Sequence, residues 1–188
     1  MKYYQLMMDV SGESDIVCHY NNSFGMQEYD LCIGEEFNSW NKDFKFFYNS
    51  QEGDIATDFL ANDMTWFLVS EKLRKVLDRM NTNIQYFKVD IFEENTNNTL
   101  NGYYVANILN VVDALCLEKS DYFETEIDDM GTIYTVSKYA VYKDKINGSD
   151  IFKLSNHQEI PIFVSENFKN AIEDNGITGM DFMEIHAE

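Results

Sequence analysis

A chain of 188 residues with 45% hydrophobic and 15% aromatic content can bury one sizeable core, which excludes a disordered protein and favours one domain over two. Thirty-three acids against fourteen bases leave a formal net charge of −19 at pH 7, which argues against nucleic acid or an anionic membrane as direct partner and favours a cationic one. Asp9 ends the first apolar run too early for a signal-peptide core, and Cys18, Cys32 and Cys116 contain no Cys-x-x-Cys pair; the expectation is a cytoplasmic protein with reduced thiols in its core.

In chain order, "KYYQLMM" and "FKFFYN" have the aromatic and aliphatic density of strands, and "NNSFG" and "NSQEGD" read as turns. Phe67, Leu68 and Val69 form a short buried strand that runs into a helix. Ser70 is placed to cap that helix, Glu71 sits at the positive end of its dipole, and Leu73, Val76, Leu77 and Met80 recur at i, i+3, i+4 and i+7. "IQYFKVDIF" is a strand. "EENTNNTLNG", Glu93 to Gly102, is too polar to bury and reads as a surface connection between neighbouring strands. "GYYVANIL", "TIYTVSKYAVYK" and "IFKL" are further strands.

The segment Ile162 to Ile172, "IFVSENFKNAI", repeats the grammar of Phe67 to Leu77, "FLVSEKLRKVL". Ser165 caps, Glu166 sits in the first turn, Phe168, Ala171 and Ile172 form the apolar stripe, and Asn175-Gly176 supplies the stop. "MDFMEI" alternates like a final strand. The fold class that follows is α+β, with two similar strand-helix-strand units packed on one mixed, largely antiparallel sheet and few helices.

"EKSDYFETEIDD", Glu118 to Asp129, reads as a loop or elaboration holding six acids and one lysine, a local net charge of −5. A solvated loop serving solubility would account for it. The functional reading is a docking surface for a basic protein, in which Glu118, Asp121, Glu124, Glu126, Asp128 and Asp129 steer the partner and Tyr122 and Phe123 anchor it.

Catalytic chemistry finds little support. The glycines form no phosphate-cradling loop, His19, His157 and His186 share no metal-ligand spacing, and no Gly-x-Ser-x-Gly elbow occurs. "EIDDMG" falls short of a calcium loop, with Met130 at a ligand position and Ser137 where the closing glutamate belongs. No cofactor or metal is expected. Two other classes remain open: a small enzyme with an acidic cleft, and an assembly or interaction module.

The ordered blocks "WFLVSEKLRKVL", "NIQYFKVDI", "YYVANILNVVDALCLEKSDY", "IFKL" and "PIFVSENFKNAIEDNGITGMDF" resemble the bacterial immunity-protein family numbered eleven among polymorphic-toxin immunity proteins. The resemblance covers Asp58 to Phe182 and is weak over residues 1–57; the whole chain, 1–188, is expected to be a single immunity-type domain. It implies an antidote that binds and neutralises a cognate toxin domain without catalysis. Where the family places an acid after Asp113-Ala114-Leu115, this chain has Cys116.

Overall fold

The structure is a computed structural model and describes residues 1–96, 98–127, 131–156 and 158–188. The first half of the chain forms β1 (Tyr3–Met8), β2 (Val17–Cys18), β3 (Lys45–Tyr48), β4 (Phe59–Asn62) and β5 (Leu68–Ser70), which runs directly into α1 (Glu71–Leu77). The long strands β6 (Ile84–Glu93) and β7 (Thr99–Ile108) follow, then β8 (Val111–Val112), β9 (Asp121–Ile127), β10 (Gly131–Lys138) and β11 (Ala140–Val141). β12 (Ile151–Leu154), β13 (Phe163–Ser165), α2 (Glu166–Asp174) and β14 (Met180–Ala187) complete the chain.

The class is α+β, as expected, but the strands make three sheets instead of one. One six-stranded sheet has the order β2-β4-β5-β7-β6-β3, another β11-β14-β1-β13-β12-β8, and among the described residues β9 and β10 pair only with each other. In both large sheets the central pairings are antiparallel and the edge pairings β2–β4, β3–β6, β8–β12 and β11–β14 are parallel. The strand before each helix does not lie beside the strand after it. β7 separates β5 from β6, and β1, from the other end of the chain, separates β13 from β14. Local patterning is silent on which strand is inserted.

Period-two alternation gives each sheet two apolar faces. Phe67, Val69, Ala106 and Ile108 of one sheet and Tyr4, Leu6, Ile151 and Val164 of the other share a core with Leu73, Val76 and Leu77 of α1 and Phe168 and Ile172 of α2. The opposite face of the β5–β7 sheet packs Leu68, Val89, Ile91 and Val105 on Phe44, Phe46 and Trp66. The opposite face of the β1 sheet packs Tyr3, Phe152, Phe163 and Ile185 on Ala114, Val141 and Ile146. Cys18, Cys32 and Cys116 are buried and unpaired, as expected.

Helices this short are marginal alone in water; burial of Leu73, Leu77 and Phe168, each 0% exposed, contributes roughly 1.5–3 kcal/mol apiece. Ser70 Oγ accepts from Leu73 N and Ser165 Oγ from Phe168 N, both at 3.1 Å, so both serines are N-caps. Each also donates to an aspartate, Ser70 to Asp58 Oδ1 at 2.5 Å and Ser165 to Asp150 Oδ1 at 2.6 Å. α1 stops at Leu77, a turn before the end of the stripe expected to reach Met80. Asn81 draws the chain away from the helix axis, its N–H donating to Asp150 Oδ2 at 3.0 Å and its Nδ2 to Gly148 O at 2.9 Å. Met80 still packs against the shared core.

The polar stretch Glu93 to Gly102 connects the neighbouring strands β6 and β7 at the surface, as expected, but its ends belong to the strands: β6 runs through Glu93 and β7 begins at Thr99. Glu93 is 3% exposed because the connection itself supplies donors to its carboxylate. Thr96 Oγ1 and N donate to Oε2 at 2.6 and 2.5 Å, Asn95 N joins them at 2.9 Å, and Ser50 Oγ donates to Oε1 at 3.0 Å. The side-chain bond from Thr96 is the main cause that lowers the Glu93 carboxyl to a pKa of about 2.

Candidate protein-binding surface

Within the acidic segment Asp121–Ile127 form a strand, not the loop that the charge suggested. Tyr, Phe, Thr and Ile in "DYFETEI" are good strand formers, and β9 finds a complementary partner in β10. The register pairs Tyr122 with Val136, Phe123 with Thr135, Glu124 with Tyr134, Thr125 with Ile133 and Glu126 with Thr132, with a bulge before Lys138 opposite Asp121.

A lone two-stranded hairpin is marginally stable in water, and the base of this one is tied down. Ser120 Oγ donates to Cys116 O at 2.7 Å and accepts from Ala140 N at 3.0 Å. Gln158 Nε2 donates to Tyr134 O at 2.6 Å, while its Oε1 accepts from the buried Tyr139 hydroxyl at 2.9 Å. Val136 packs against the core that contains Phe163. β11 then joins β14 in the large sheet.

Strand alternation divides the expected site residues between two faces. Tyr122, Glu124 and Glu126 share one face, where Tyr122 meets Tyr134 edge-on at 5.3 Å and Thr132 Oγ1 donates to Glu126 Oε1 at 2.6 Å. Asp121 and Phe123 lie on the other, and Phe123 is 74% exposed. Glu118 is exposed in the 3-10 turn Leu117–Lys119 at the base of the hairpin. Asp128 and Asp129 lie outside the described residues. Among the described residues, Glu118, Asp121, Glu124 and Glu126 have no ion-pair partner. The structure thus brings Tyr134 and Thr132 to the acidic face, which the sequence reading did not include. The alternation of "TIYTVSK" opposite "DYFETEI" was the signal for them.

No group of three or more His, Cys, Asp and Glu side chains that could hold a metal ion occurs among the described residues. Among the same residues no helix is long and apolar enough to cross a membrane. A sequence model of the immunity protein family (Imm11) matches residues 2–187. The chain belongs to the Imm11 immunity protein family. The match extends through the N-terminal strands, beyond the Asp58 to Phe182 blocks that carried the resemblance, so β1, inserted between β13 and β14, lies within the Imm11 match. No curated protein matches the chain.

Proposed function

We propose that this Imm11 protein is a cytoplasmic antidote that binds one cognate toxin domain, one to one and without turnover, and that the β9–β10 hairpin is its toxin-facing surface. The observation that carries the surface is a tethered, exposed hairpin whose carboxylates have no ion-pair partners among the described residues and whose Phe123 stands 74% exposed. Unneutralised charge steers a basic partner, and an exposed aromatic gives the contact a packed centre. Asp128 and Asp129, next along the sequence, extend the acidic run. The partner in this reading is a basic toxin domain, with no nucleic acid or membrane contacted by the antidote.

The same reading treats residues 1–188 as a single domain holding two similar strand-helix-strand units. The support is that Ser70 and Ser165 each cap a helix while also bonding an aspartate, Asp58 or Asp150, whose own carbonyl accepts from that serine's N–H at 2.9 or 3.0 Å.

Co-expression with the cognate toxin domain tests the function. Growth should be restored in proportion to the amount of antidote, and unrelated toxins should still kill. Rescue at strongly substoichiometric levels would refute the binding mechanism and favour an enzyme. Reversing Asp121, Glu124 and Asp128 to lysine should slow association, most at low salt, with the fold intact. An unchanged association rate would assign the hairpin to solubility.

A further inference from the structure

We propose that the outer edge of β6 is a second docking site, which takes an extended acidic polypeptide segment as an added strand. Two backbone bonds set the phase of the sheet: Ala106 N donates to Phe67 O at 2.8 Å, and Leu109 N to Asn83 O at 2.9 Å. Tyr104 and Ala106 therefore turn their backbone groups toward β5, and Val105 and Asn107 turn theirs toward β6. In β6, Gln85, Phe87 and Val89 bond β7, while Ile84, Tyr86 and Lys88 direct N–H and C=O outward. β3 covers that edge only from Asp90 onward. Three outward pairs are left at the roughly 6.8 Å spacing of alternate strand residues.

The edge lies in a cleft of about 420 Å³ lined by Trp40, Lys42, Tyr86, Phe87, Lys88 and Asp90. Its far wall is held in place. Trp40 stacks on Phe87 at 4.8 Å, and the Gln85 amide accepts from Phe37 N and donates to Phe37 O, both at 3.0 Å. Edge strands invite pairing unless they are covered or charged. Here the charge is basic: Lys42 and Lys88 are exposed without ion-pair partners among the described residues, and Asp90 is the single carboxylate of the lining. Two lysines and one aspartate give the cleft a charge of +1 on a chain of −19. Strand addition draws affinity from the backbone and specificity from side-chain charge, so the fitting partner is extended and carries carboxylates.

The test uses the full-length ¹⁵N-labelled protein and a short capped peptide alternating glutamate with valine, with its lysine counterpart as control. Without peptide, the Tyr86 and Lys88 amides should exchange fast and those of Phe87 and Val89 slowly. The acidic peptide should slow Tyr86 and Lys88 exchange by about tenfold or more, and the lysine peptide should not. Lys88→Pro removes an outward N–H without removing a ladder bond and should abolish the protection; the Lys42→Glu/Lys88→Glu pair should weaken it by charge alone. Reversing Asp121 and Glu124 should leave peptide binding unchanged, which separates this edge from the hairpin. No protection, equal protection by the lysine peptide, or concentration-dependent dimers that protect the same amides without peptide would overturn the proposal.

Discussion

Replacing Ser165 by alanine removes one hydroxyl that serves two partners in a fully buried position. Loss of the cap to Phe168 N costs about 0.5–2 kcal/mol. The same change strips Asp150 Oδ1 of a donor at 2.6 Å. Asp150 is only 8% exposed, so leaving that oxygen unsatisfied adds about 1–3 kcal/mol. Together these give a loss of about 1.5–5 kcal/mol. Ser70 makes the matching cap, but its aspartate is better supplied. Asp58 Oδ2 accepts from Thr178 N at 3.1 Å and from Lys72 Nζ at 3.4 Å, whereas Asp150 Oδ2 accepts from Asn81 N at 3.0 Å. Asp58 is also less buried than Asp150, so Ser70→Ala should cost mainly the cap, about 0.5–2 kcal/mol. Urea unfolding followed through the fluorescence of Trp66, 1% exposed, should show a lower midpoint for both variants at unchanged slope, with the larger shift for Ser165→Ala. Adding Asp150→Ala to Ser165→Ala should cost less than the sum of the two single changes, since both break one contact. A Ser165→Ala loss no greater than that of Ser70→Ala would refute the claim that the buried aspartate depends on the cap.

Lys153 sits in the otherwise apolar β12, where its Nζ donates to Cys32 O at 2.6 Å and Glu159 O at 2.7 Å, and burial lowers its pKa to about 8 from 10.5. Between those values the unfolded chain binds more protons than the folded one, so stability relative to Lys153→Met should rise with pH across that window; a flat difference in urea unfolding from pH 7.5 to 10 (on the order of that window) would contradict it. Glu93 has the opposite sign. With its pKa lowered from 4.5 to about 2, its contribution is present above 4.5 and is lost as pH falls toward 2; Thr96→Val should raise the carboxyl's titration midpoint in carbon-detected NMR. Burial pushes the Cys18 thiol up to about 12 and raises that of Cys32, so neither should react with a disulfide reagent at neutral pH until the chain unfolds. Rapid stoichiometric labelling of the native protein would place those thiols at the surface.

What the sequence determined by itself is local. Ser70 and Ser165 could be read as caps because an N-cap needs only a short polar side chain ahead of an apolar stripe, all within a few residues. The strands β1, β6, β7 and β14 were legible for the same reason, as was the burial of three cysteines that lack pairing motifs. Long-range pairing was a different matter. Nothing near Tyr3 says that it will lie opposite both Ser165 and Ile185, and nothing near Glu93 separates a solvated acid from one satisfied by Thr96 and Ser50. The charge of Glu118 to Asp129 suggested a loop, because like charges repel in an isolated segment; opposite β10, with its base fixed through Ser120 and Gln158, Asp121–Ile127 of that stretch extend as a strand. The surface that results, with Tyr122, Glu124 and Glu126 on one face and Phe123 on the other, was decided by pairing and anchoring, since a side chain's neighbours across a sheet are set by register and not by proximity in sequence.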